Sequence, residues 1–307
     1  MNQLLTISSL VEFIIHAVNW PICIYLPIIH KSGLLILLFI FQIMKKLLFI
    51  AIAMSSMFYS CKKDLVAQYN ANIKAPLSIE FDNTMGGTDL QLSTATYTNA
   101  NNELFKVTML KYFVSNIILT KIDGTIYTVP QDSSYFLVDE SKPATLSPII
   151  NVPEGEYTQI DFILGVDSLR NTKDLSQRTG ALDPTGEAAG MYWSWNSGYI
   201  FFKMEGTSVV SPQINNVFQY HIGLFGGYSA PTLNNLKKVS INLSVRGIAK
   251  VKTGSTPNVH LLVNAMKMFN GNSNISIASN SVVMASAFSA KIADNYTNMF
   301  QHDHTEN

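Results

Sequence analysis

Short strand-like segments separated by turn residues constrain the fold of this chain more than any other feature. From Pro76 onward the pattern recurs at 77–81, 104–120, 135–139, 157–165, 199–204, 217–224, 238–246 and 259–263. Alternation of apolar and polar residues with a period of two is typical of half-buried β-strands. Glycine, proline and asparagine separate the segments. The pattern predicts an all-β fold, an antiparallel β-sandwich of the immunoglobulin-like class.

The end of the chain has a helical rather than a strand-like pattern. Apolar residues recur at steps of three and four from Ala285 through Ile292 to Met299, which is the spacing of one helix face. Asn280 is a candidate N-cap for this helix. We therefore expect a short C-terminal helix that begins near Asn280 and finishes at a terminal tail, 298–307.

The first sixty residues are mostly apolar, and part of them has the order of a secretory signal. Lys45 and Lys46 follow Met44, an apolar run comes next, and Cys61 ends it. The run is too short to span a bilayer comfortably, and this order is typical of an exported lipoprotein. We expect residues 44–61 to be a lipoprotein signal peptide with Cys61 as the acylated N-terminus.

The remaining segments complete the expected organisation. Residues 1–43 are apolar, and they are either a membrane span or an upstream extension from a mis-called start; the signal-like order that follows them favours the second. Residues 62–75 are expected to be a linker and 76–307 the folded domain. Both cysteines, Cys23 and Cys61, precede that domain, so we expect no disulfide in it. The expected location is the cell envelope, with a lipid anchor at the outer membrane or on the periplasmic face.

Charge and motif content exclude several classes of protein. Basic and acidic residues balance at 21 each, so no excess of positive charge is available for nucleic acid. The chain lacks the G-x-S-x-G motif of serine hydrolases and the H-E-x-x-H motif of zinc proteases, and no cysteine lies in the folded part to pair with a histidine. We therefore expect a protein that is not an enzyme and does not bind nucleic acid.

Aromatic residues concentrate between Gly190 and Gly206, in the stretch GMYWSWNSGYIFFKMEG. Trp193 and Trp195 lie on one side of the chain if the backbone there is extended. Such rings either pack into a core or form an exposed platform for recognition, and an indole can also be oxidised. The residues alone leave these alternatives open.

Three histidines of the expected domain are candidate metal ligands. His302 and His304 are separated by one residue and lie close to Met299, and imidazole and thioether groups both suit copper. Terminal histidines are also often solvated, which leaves the alternative of a solvated tail. His221 lies in a strand whose apolar residues face the core, so its side chain is expected to point the other way. His260 also lies in a strand and is interpreted as structural.

The segment 165–190 lacks periodicity and is long for a loop within a compact domain, which is typical of functional loops. Its carboxylates Asp167, Asp174 and Asp183 either bind calcium or accept hydrogen bonds that cap turns. Their spacing does not match an EF-hand loop, which favours the capping role.

Several longer stretches of the chain resemble one known family. They are KYFVSNIIL (111–119), YFLVD (135–139), VPEGEYTQIDFILGVDS (152–168), ALDPTGEAAGMYWSWNSGYIFFKMEG (181–206), YHIG (220–223) and NMFQHDH (298–304). Together they are similar to the MbnP-like family of exported copper-binding proteins, and the resemblance extends over most of residues 76–304. Members of the family often carry a histidine in the first strand, whereas the corresponding stretch 79–87 here has none.

The resemblance implies a β-sandwich that binds copper outside the cytoplasm, in copper acquisition or delivery. It also implies a partner enzyme of the dihaem cytochrome c peroxidase type, which oxidises a tryptophan to kynurenine; Trp193 or Trp195 is the implied target. The implied copper ligands are His221, His302 and His304, with Met191 or Met299 as thioether donors. The alternative hypothesis is a metal-free cell-surface module that uses the aromatic stretch as a platform for a glycan or a protein.

Overall fold

The computed structural model describes residue 36 and residues 38–48, 68–193, 198–228 and 230–307. The chain divides into two compact units, Met1–Ala67 and Gln68–Asn307. In the first unit, residues 38–48 form a helix (α1) with exposed side chains. Across the described residues, no helix combines the length and the apolar character needed to cross a bilayer. Cys61, the predicted lipidation site, lies outside the described residues, as does most of the predicted signal peptide.

The described part of the second unit contains sixteen strands joined by turns and short helices. The strands are β1 (Lys74–Met85), β2 (Thr88–Asp89), β3 (Tyr97–Thr98), β4 (Leu104–Lys121), β5 (Ile126–Thr128), β6 (Tyr135–Asp139), β7 (Ile149–Pro153), β8 (Gly155–Leu164), β9 (Tyr192–Trp193), β10 (Gly198–Thr207), β11 (Val217–Gly223), β12 (Lys237–Asn242), β13 (Ala249–Val251), β14 (Asn258–Asn264), β15 (Val282–Val283) and β16 (Phe300–Glu306). The α-helices are α2 (Ser168–Asn171) and α3 (Ser289–Tyr296). The 3-10 helices are Gln131–Ser133, Pro143–Thr145, Leu175–Gln177, Gly180–Leu182, Ile214–Asn216 and Ala265–Met268.

The strands form two sheets of unequal size. The smaller sheet has the order β16-β14-β1-β2, with β7 also paired to β1. The larger sheet has the order β12-β8-β4-β10-β11-β15, with β13 paired to β8, with β3, β5 and β6 paired to β4, and with β9 paired to β10. Most pairs are antiparallel, but β1 pairs with β14 and β11 pairs with β15 in parallel.

The prediction of a mostly β fold with a short C-terminal helix is confirmed. The expectation of purely antiparallel sheets is wrong, because the two parallel pairs join strands that are distant in sequence and are not connected by a hairpin. Each of the eight predicted segments overlaps a strand of the structure. The immunoglobulin-like class stays a prediction.

The main core lies between the two sheets. Phe81 on β1 of the smaller sheet makes edge-on contacts with Tyr112 and Phe162 of the larger sheet, at ring-centroid distances of 6.2 and 6.0 Å. Phe300, in the last strand, contacts Phe81 at 6.4 Å. Rings in this arrangement contribute beyond their buried area. The last strand is therefore anchored in the core and is not a loose tail.

A second apolar cluster covers the opposite face of the larger sheet. It includes Phe113, Met191, Trp193, Tyr199 and Phe201, all of them buried. Residues of the aperiodic segment 165–190, such as Val166 and Leu182, complete the cluster. The loop is thus held on the sheet by apolar burial.

The C-terminal helix begins later than the sequence predicts. It comprises Ser289–Tyr296, preceded by Phe288 without a side-chain cap, so Asn280 is not its N-cap. Ile292 and Tyr296 are fully buried, as their spacing predicts. The segment after the helix forms β16, which pairs antiparallel with β14. The expected terminal tail is therefore an edge strand of the smaller sheet.

Candidate metal centre

The described part of the aromatic stretch is buried. Trp193 is 6% exposed, and Tyr199 and Phe201 are fully buried. The Trp193 ring lies so close to Gly223 that a Cβ atom there would meet Trp193 Cζ3 at 2.7 Å. Trp195 lies outside the described residues. Trp193 therefore belongs to a packed core and does not supply the exposed platform that a glycan-binding module would need.

His221 lies on β11 of the larger sheet, two residues before Gly223 and on the same face. Its ring Nε2 is 2.8 Å from the Glu205 carboxylate, which also contacts the Lys203 ammonium at 3.3 Å. Burial lowers the pKa of His221, and the Glu205 hydrogen bond opposes this only in part. His221 is thus held by a carboxylate on the face away from the main core, and burial favours its neutral form.

The two methionines predicted as thioether donors lie in different parts of the interior. Met299 is 1% exposed in the core between the sheets, and Met191 is fully buried in the second cluster. The loop carboxylates Asp167, Asp174 and Asp183 each accept a hydrogen bond from a backbone N–H two or three residues later. These are local caps, and in the described part of the chain they form no group of three converging ligands.

A β-bulge in the last strand separates His302 from His304. In the register of β14 and β16, Leu261 pairs with His302 and His260 pairs with His304. Asp303 is therefore an extra residue in β16 that pairs with no residue of β14. Residues directly opposite in a sheet share a face. His302 therefore lies on the core side with Leu261 and is 6% exposed, whereas His304 lies on the outer side with His260.

His260, Asp303 and His304 form a compact group on the outer face of the smaller sheet. His260 Nδ1 is 3.2 Å and His304 Nδ1 is 2.8 Å from the same carboxylate oxygen, Asp303 Oδ2. One ligand atom from each residue lies within 4.8 Å of the others. Donor atoms that share a metal ion with bond lengths near 2.1 Å lie about 3 to 4 Å apart. The donor types therefore suit a metal ion, and a spread of up to 4.8 Å means that the side chains would draw closer together around it.

Two acidic residues of β1 extend the group on its other side. In the parallel register Glu80 pairs with His260, and Phe81 faces the core, so Glu80 and Asp82 both face outward. His260 Nε2 is 3.4 Å from Asp82 Oδ2 and 3.8 Å from Glu80 Oε1. The outer face thus carries two imidazoles between carboxylates.

Neighbouring side chains orient the central carboxylate. Arg246 Nη1 lies 3.4 Å from Asp303 Oδ1, which leaves Oδ2 for the two imidazoles. The hydrogen bonds with His304 and His260 lower the pKa of Asp303, and the bond with Asp303 raises the pKa of His304. Partners that fix a ligating carboxylate in this way are a regular feature of metal sites.

The structure does not bring the three histidines predicted as ligands together. His221 is on the larger sheet and faces away from the main core, His302 faces that core, and His304 lies on the outer face of the smaller sheet. From sequence alone His260 is interpreted as structural, and Asp303 is not among the candidate ligands. The alternation around His260 indicates where its side chain lies. Val259 and Leu261 face the core, so the imidazole between them points outward.

Comparison with known proteins places the chain in a family. A family model described as MbnP matches residues 74–285. This chain belongs to the MbnP family. Among solved structures it is similar to MbnP from Methylosinus trichosporium, with 16% identity and a TM-score of 0.45 over 70% of this chain and 82% of that chain. No curated protein matches the chain.

A partly buried glutamate lies near the acidic end of the smaller sheet in this MbnP-family chain. Glu140 Oε2 accepts a hydrogen bond from Asn83 Nδ2 at 2.9 Å. Burial raises the pKa of Glu140 to about 7, and the negative charges of Asp89, Asp82 and Asp139 add to this increase. The potential around this end of β1 is therefore negative, which favours bound cations.

The Glu140→Gln variant is expected to be more stable than the parent chain at high pH. Because the folded-state pKa lies above the ordinary value of 4.5, protonation of Glu140 stabilises the fold below about pH 4.5, and this contribution is lost as the pH rises through 7. We expect the free energy of unfolding of the variant to exceed that of the parent by about 1–2 kcal/mol at pH 8, after allowance for partial solvent exposure, and by little near pH 5. Urea unfolding at both values measures this, with exposed Glu187→Gln as the control. An equal gain at the two values would contradict the assignment.

Proposed function

We propose that this protein binds one copper ion outside the cytoplasm, with His260, Asp303 and His304 as ligands, and that it acts in copper acquisition or delivery. The observation that supports this most directly is the approach of two imidazole nitrogens to one carboxylate oxygen, at 3.2 and 2.8 Å. Imidazole is a common ligand of copper, and sites made of nitrogen and oxygen bind copper more tightly than other divalent ions of its series.

The proposed ligand set differs from the set that the sequence suggests. It keeps His304 and replaces His221 and His302 with His260 and Asp303, because His260, Asp303 and His304 lie together on one face in the described part of the chain. His302 Nε2 instead lies 2.9 Å from Thr305 Oγ1 on the core side. In this proposal His302 and the buried methionines stabilise the fold and do not contact the ion.

The cellular setting is part of the proposal. The signal-like order of residues 44–61 supports export and a lipid anchor at Cys61, at the outer membrane or on the periplasmic face. Membership of the MbnP family supports a dihaem cytochrome c peroxidase-type partner and oxidation of Trp193 or Trp195. The protein itself is proposed to carry copper and not to act as an enzyme.

Intact-mass and metal analysis of the chain purified from membranes of its native host tests these proposals together. We expect one equivalent of copper, an acyl modification on Cys61 at a new N-terminus, and an oxidised indole in the peptide that contains Trp193 and Trp195. Chain recovered without copper, and unable to take it up when copper is added, would rule out the copper-binding function.

The His260→Ala/His304→Ala double variant is expected to lose copper. It removes both imidazoles from the outer face, so we expect its copper affinity to fall at least about 100-fold. Both side chains lie partly in solvent, at 16% and 46% exposure, so the fold should be retained. Equilibrium titration against a competing chelator gives the affinity, and His221→Ala serves as a matched control on the other sheet. Unchanged affinity in the double variant, or an equal loss in the control, would contradict this ligand set.

A further inference from the structure

Three exposed isoleucines lie at the end of the second unit where its first strand begins. Ile73, Ile122 and Ile126 are 44%, 63% and 66% exposed. The backbone oxygen of Ile73 accepts a hydrogen bond from Glu154 N at 2.9 Å. Ile122 N donates to the backbone oxygen of Glu156 at the same distance, so these two isoleucines flank the turn between β7 and β8. Ile126 begins β5, across the β4–β5 hairpin from Ile122.

These three side chains, the isoleucine surface, are notable because they occur as a group. Single exposed apolar residues are normal on a folded protein. Several large apolar side chains that are exposed together at one end of a fold are typical of a surface that meets a partner or a membrane.

The segment that leads into β1 is fixed at the same turn. Tyr69 Oη donates a hydrogen bond to Glu156 Oε1 at 3.2 Å. Asn70 N donates to Glu154 Oε2 at 2.9 Å. Cys61 precedes Tyr69 by eight residues, and a fully extended chain of that length spans at most about 30 Å. An acyl group on Cys61 would therefore hold this turn within about 30 Å of a bilayer.

The charged neighbours of the isoleucine surface are mainly basic. Lys74 follows Ile73 directly, Lys250 lies on β13 where that strand pairs with the start of β8, and Lys252 follows β13. All three lysines are exposed, as is Asp123 in the β4–β5 turn. Lysine side chains place their apolar stems along an apolar surface and extend the ammonium group into the polar layer above it. Apolar side chains with lysines beside them are typical of surfaces that lie in a membrane interface.

Exposed apolar residues also lie at the opposite end of β4. Val209 and Ile214 are 78% and 86% exposed. Ser208, next to Val209, donates a hydrogen bond to the backbone oxygen of Leu104, the first residue of β4, at 2.6 Å. Ile122 follows the last residue of β4, so the length of that strand, roughly 50 Å, separates the two groups. Exposure alone therefore does not distinguish the isoleucine surface, whereas its position beside the entering chain does.

We propose that the isoleucine surface docks on a lipid bilayer, with Ile73, Ile122 and Ile126 in the apolar boundary and the neighbouring lysines among the lipid phosphates. The proposal rests on the lipid anchor at Cys61 proposed above. It adds a second, non-covalent contact with the membrane, which fixes the orientation of the anchored unit.

Fluorescence quenching in vesicles tests whether this surface meets lipid. The acylated chain would begin at Cys61, and the other cysteine of the sequence, Cys23, precedes it. A Thr125→Cys variant therefore has one free thiol, in the β4–β5 turn, for an environment-sensitive label. The variant is purified from membranes of its host and placed in vesicles of phosphatidylethanolamine and phosphatidylglycerol, with and without nitroxide-labelled acyl chains. We expect a blue shift of the emission and quenching by the nitroxide lipid, whereas a label in Val209→Cys should show neither.

The Ile122→Ser/Ile126→Ser double variant identifies the side chains responsible. Each isoleucine that leaves water contributes about tenfold to binding, so we expect the quenching at position 125 to fall at least about 5-fold. Both side chains are largely exposed, so the fold should be retained, which circular dichroism checks. The Val209→Ser/Ile214→Ser variant removes similarly exposed apolar side chains from the opposite end and is the matched control, with no expected change.

Three results would contradict the proposal, and they can be told apart. Equal emission from the labels at positions 125 and 209, or unchanged quenching in the isoleucine variant, would rule out the docking surface and leave the anchor standing. A blue shift without quenching that grows with the number of chains per vesicle would show that a second copy of the chain covers the surface instead. Chain that carries no acyl group and does not float with the vesicles would show that the proposed anchor is wrong, and the docking proposal would fail with it.

Discussion

The Gly206→Ala variant is expected to lose about 4 kcal/mol of stability or more and to accumulate mainly as insoluble chain. A Cβ atom at this position would lie 2.0 Å from the backbone oxygen of Lys106 and 2.5 Å from Cζ of Phe218. The oxygen belongs to β4, which pairs with β10 on this side, and Phe218 is fully buried in the core. Neither neighbour can move away without breaking strand pairing or core packing, so this substitution belongs among the most destabilising ones.

The Gly124→Ala variant provides the matched control for this prediction. Gly124 has a φ of +84° but nothing within 4 Å of the added Cβ. Its replacement should cost only the backbone preference of glycine, about 1 kcal/mol. Urea unfolding followed by tryptophan fluorescence compares the two variants. Similar unfolding midpoints for both would show that the close approach of β10 and β4 does not determine the stability of this region.

Loss of the Glu103 carboxylate is expected to have the second-largest effect. Glu103 accepts hydrogen bonds from the side chains of Asn99 and Ser276, at 2.6 and 2.7 Å, and from the backbone of Ile277 and Ala278, at 2.7 and 3.1 Å. It thus ties the start of β4 to the segment that leads to α3. Glu103→Ala leaves these donors unpaired in a buried place, so we expect a loss of about 3–5 kcal/mol.

The same carboxylate predicts a specific dependence on pH. Burial alone would raise the pKa of Glu103, but the hydrogen bonds from Asn99, Ile277 and Ser276 lower it overall. A folded-state pKa below the unfolded value stabilises the chain above about pH 4.5 and loses this contribution as the pH falls further. The difference between parent and Glu103→Ala should therefore shrink in acid, as thermal unfolding at several pH values will show. The free energy of unfolding of the exposed Glu187→Ala variant should differ from that of the parent by less than about 0.5 kcal/mol. An equally small difference for Glu103→Ala would show that the hydrogen bonds of Glu103 do not stabilise the fold.

Local features of the sequence predict most of the strands. Alternation depends on neighbouring residues only, and β6 at Tyr135–Asp139 matches its predicted segment residue for residue. Departures occur where the alternation shifts. In β4 the alternation places Phe105, Val107 and Met109 on one face. In the structure Phe105 and Val107 are buried, but the next buried residue is Leu110 and not Met109. The reason is a β-bulge: Thr108 is an extra residue in β4, opposite the step from Glu205 to Gly206 in β10. A β-bulge of one residue does not change the composition or the mean hydropathy of a strand, so neither property predicts it.

The candidate site was harder to predict than the strands. His260 and His304 are separated by more than forty residues, and they meet only because β14 pairs with β16 in one particular register. Glu80 joins them through a parallel pair with a strand almost two hundred residues away. Long-range pairing of this kind is not encoded by any short pattern. The sequence therefore singled out His304 as a candidate ligand, but the histidines grouped with it, His221 and His302, lie on other faces in the structure.

The extra residue at Asp303 also governs how such chains should be compared with one another. Side chains in a strand alternate between two faces, so the parity of the residue count before His304 decides which face that imidazole occupies. A relative that keeps both histidines but is one residue shorter here would turn its final imidazole towards the interior. Two aligned histidines would then lie on opposite faces of the sheet in the two chains. The length of the segment before the histidine would indicate its face more reliably than the identity of the residue.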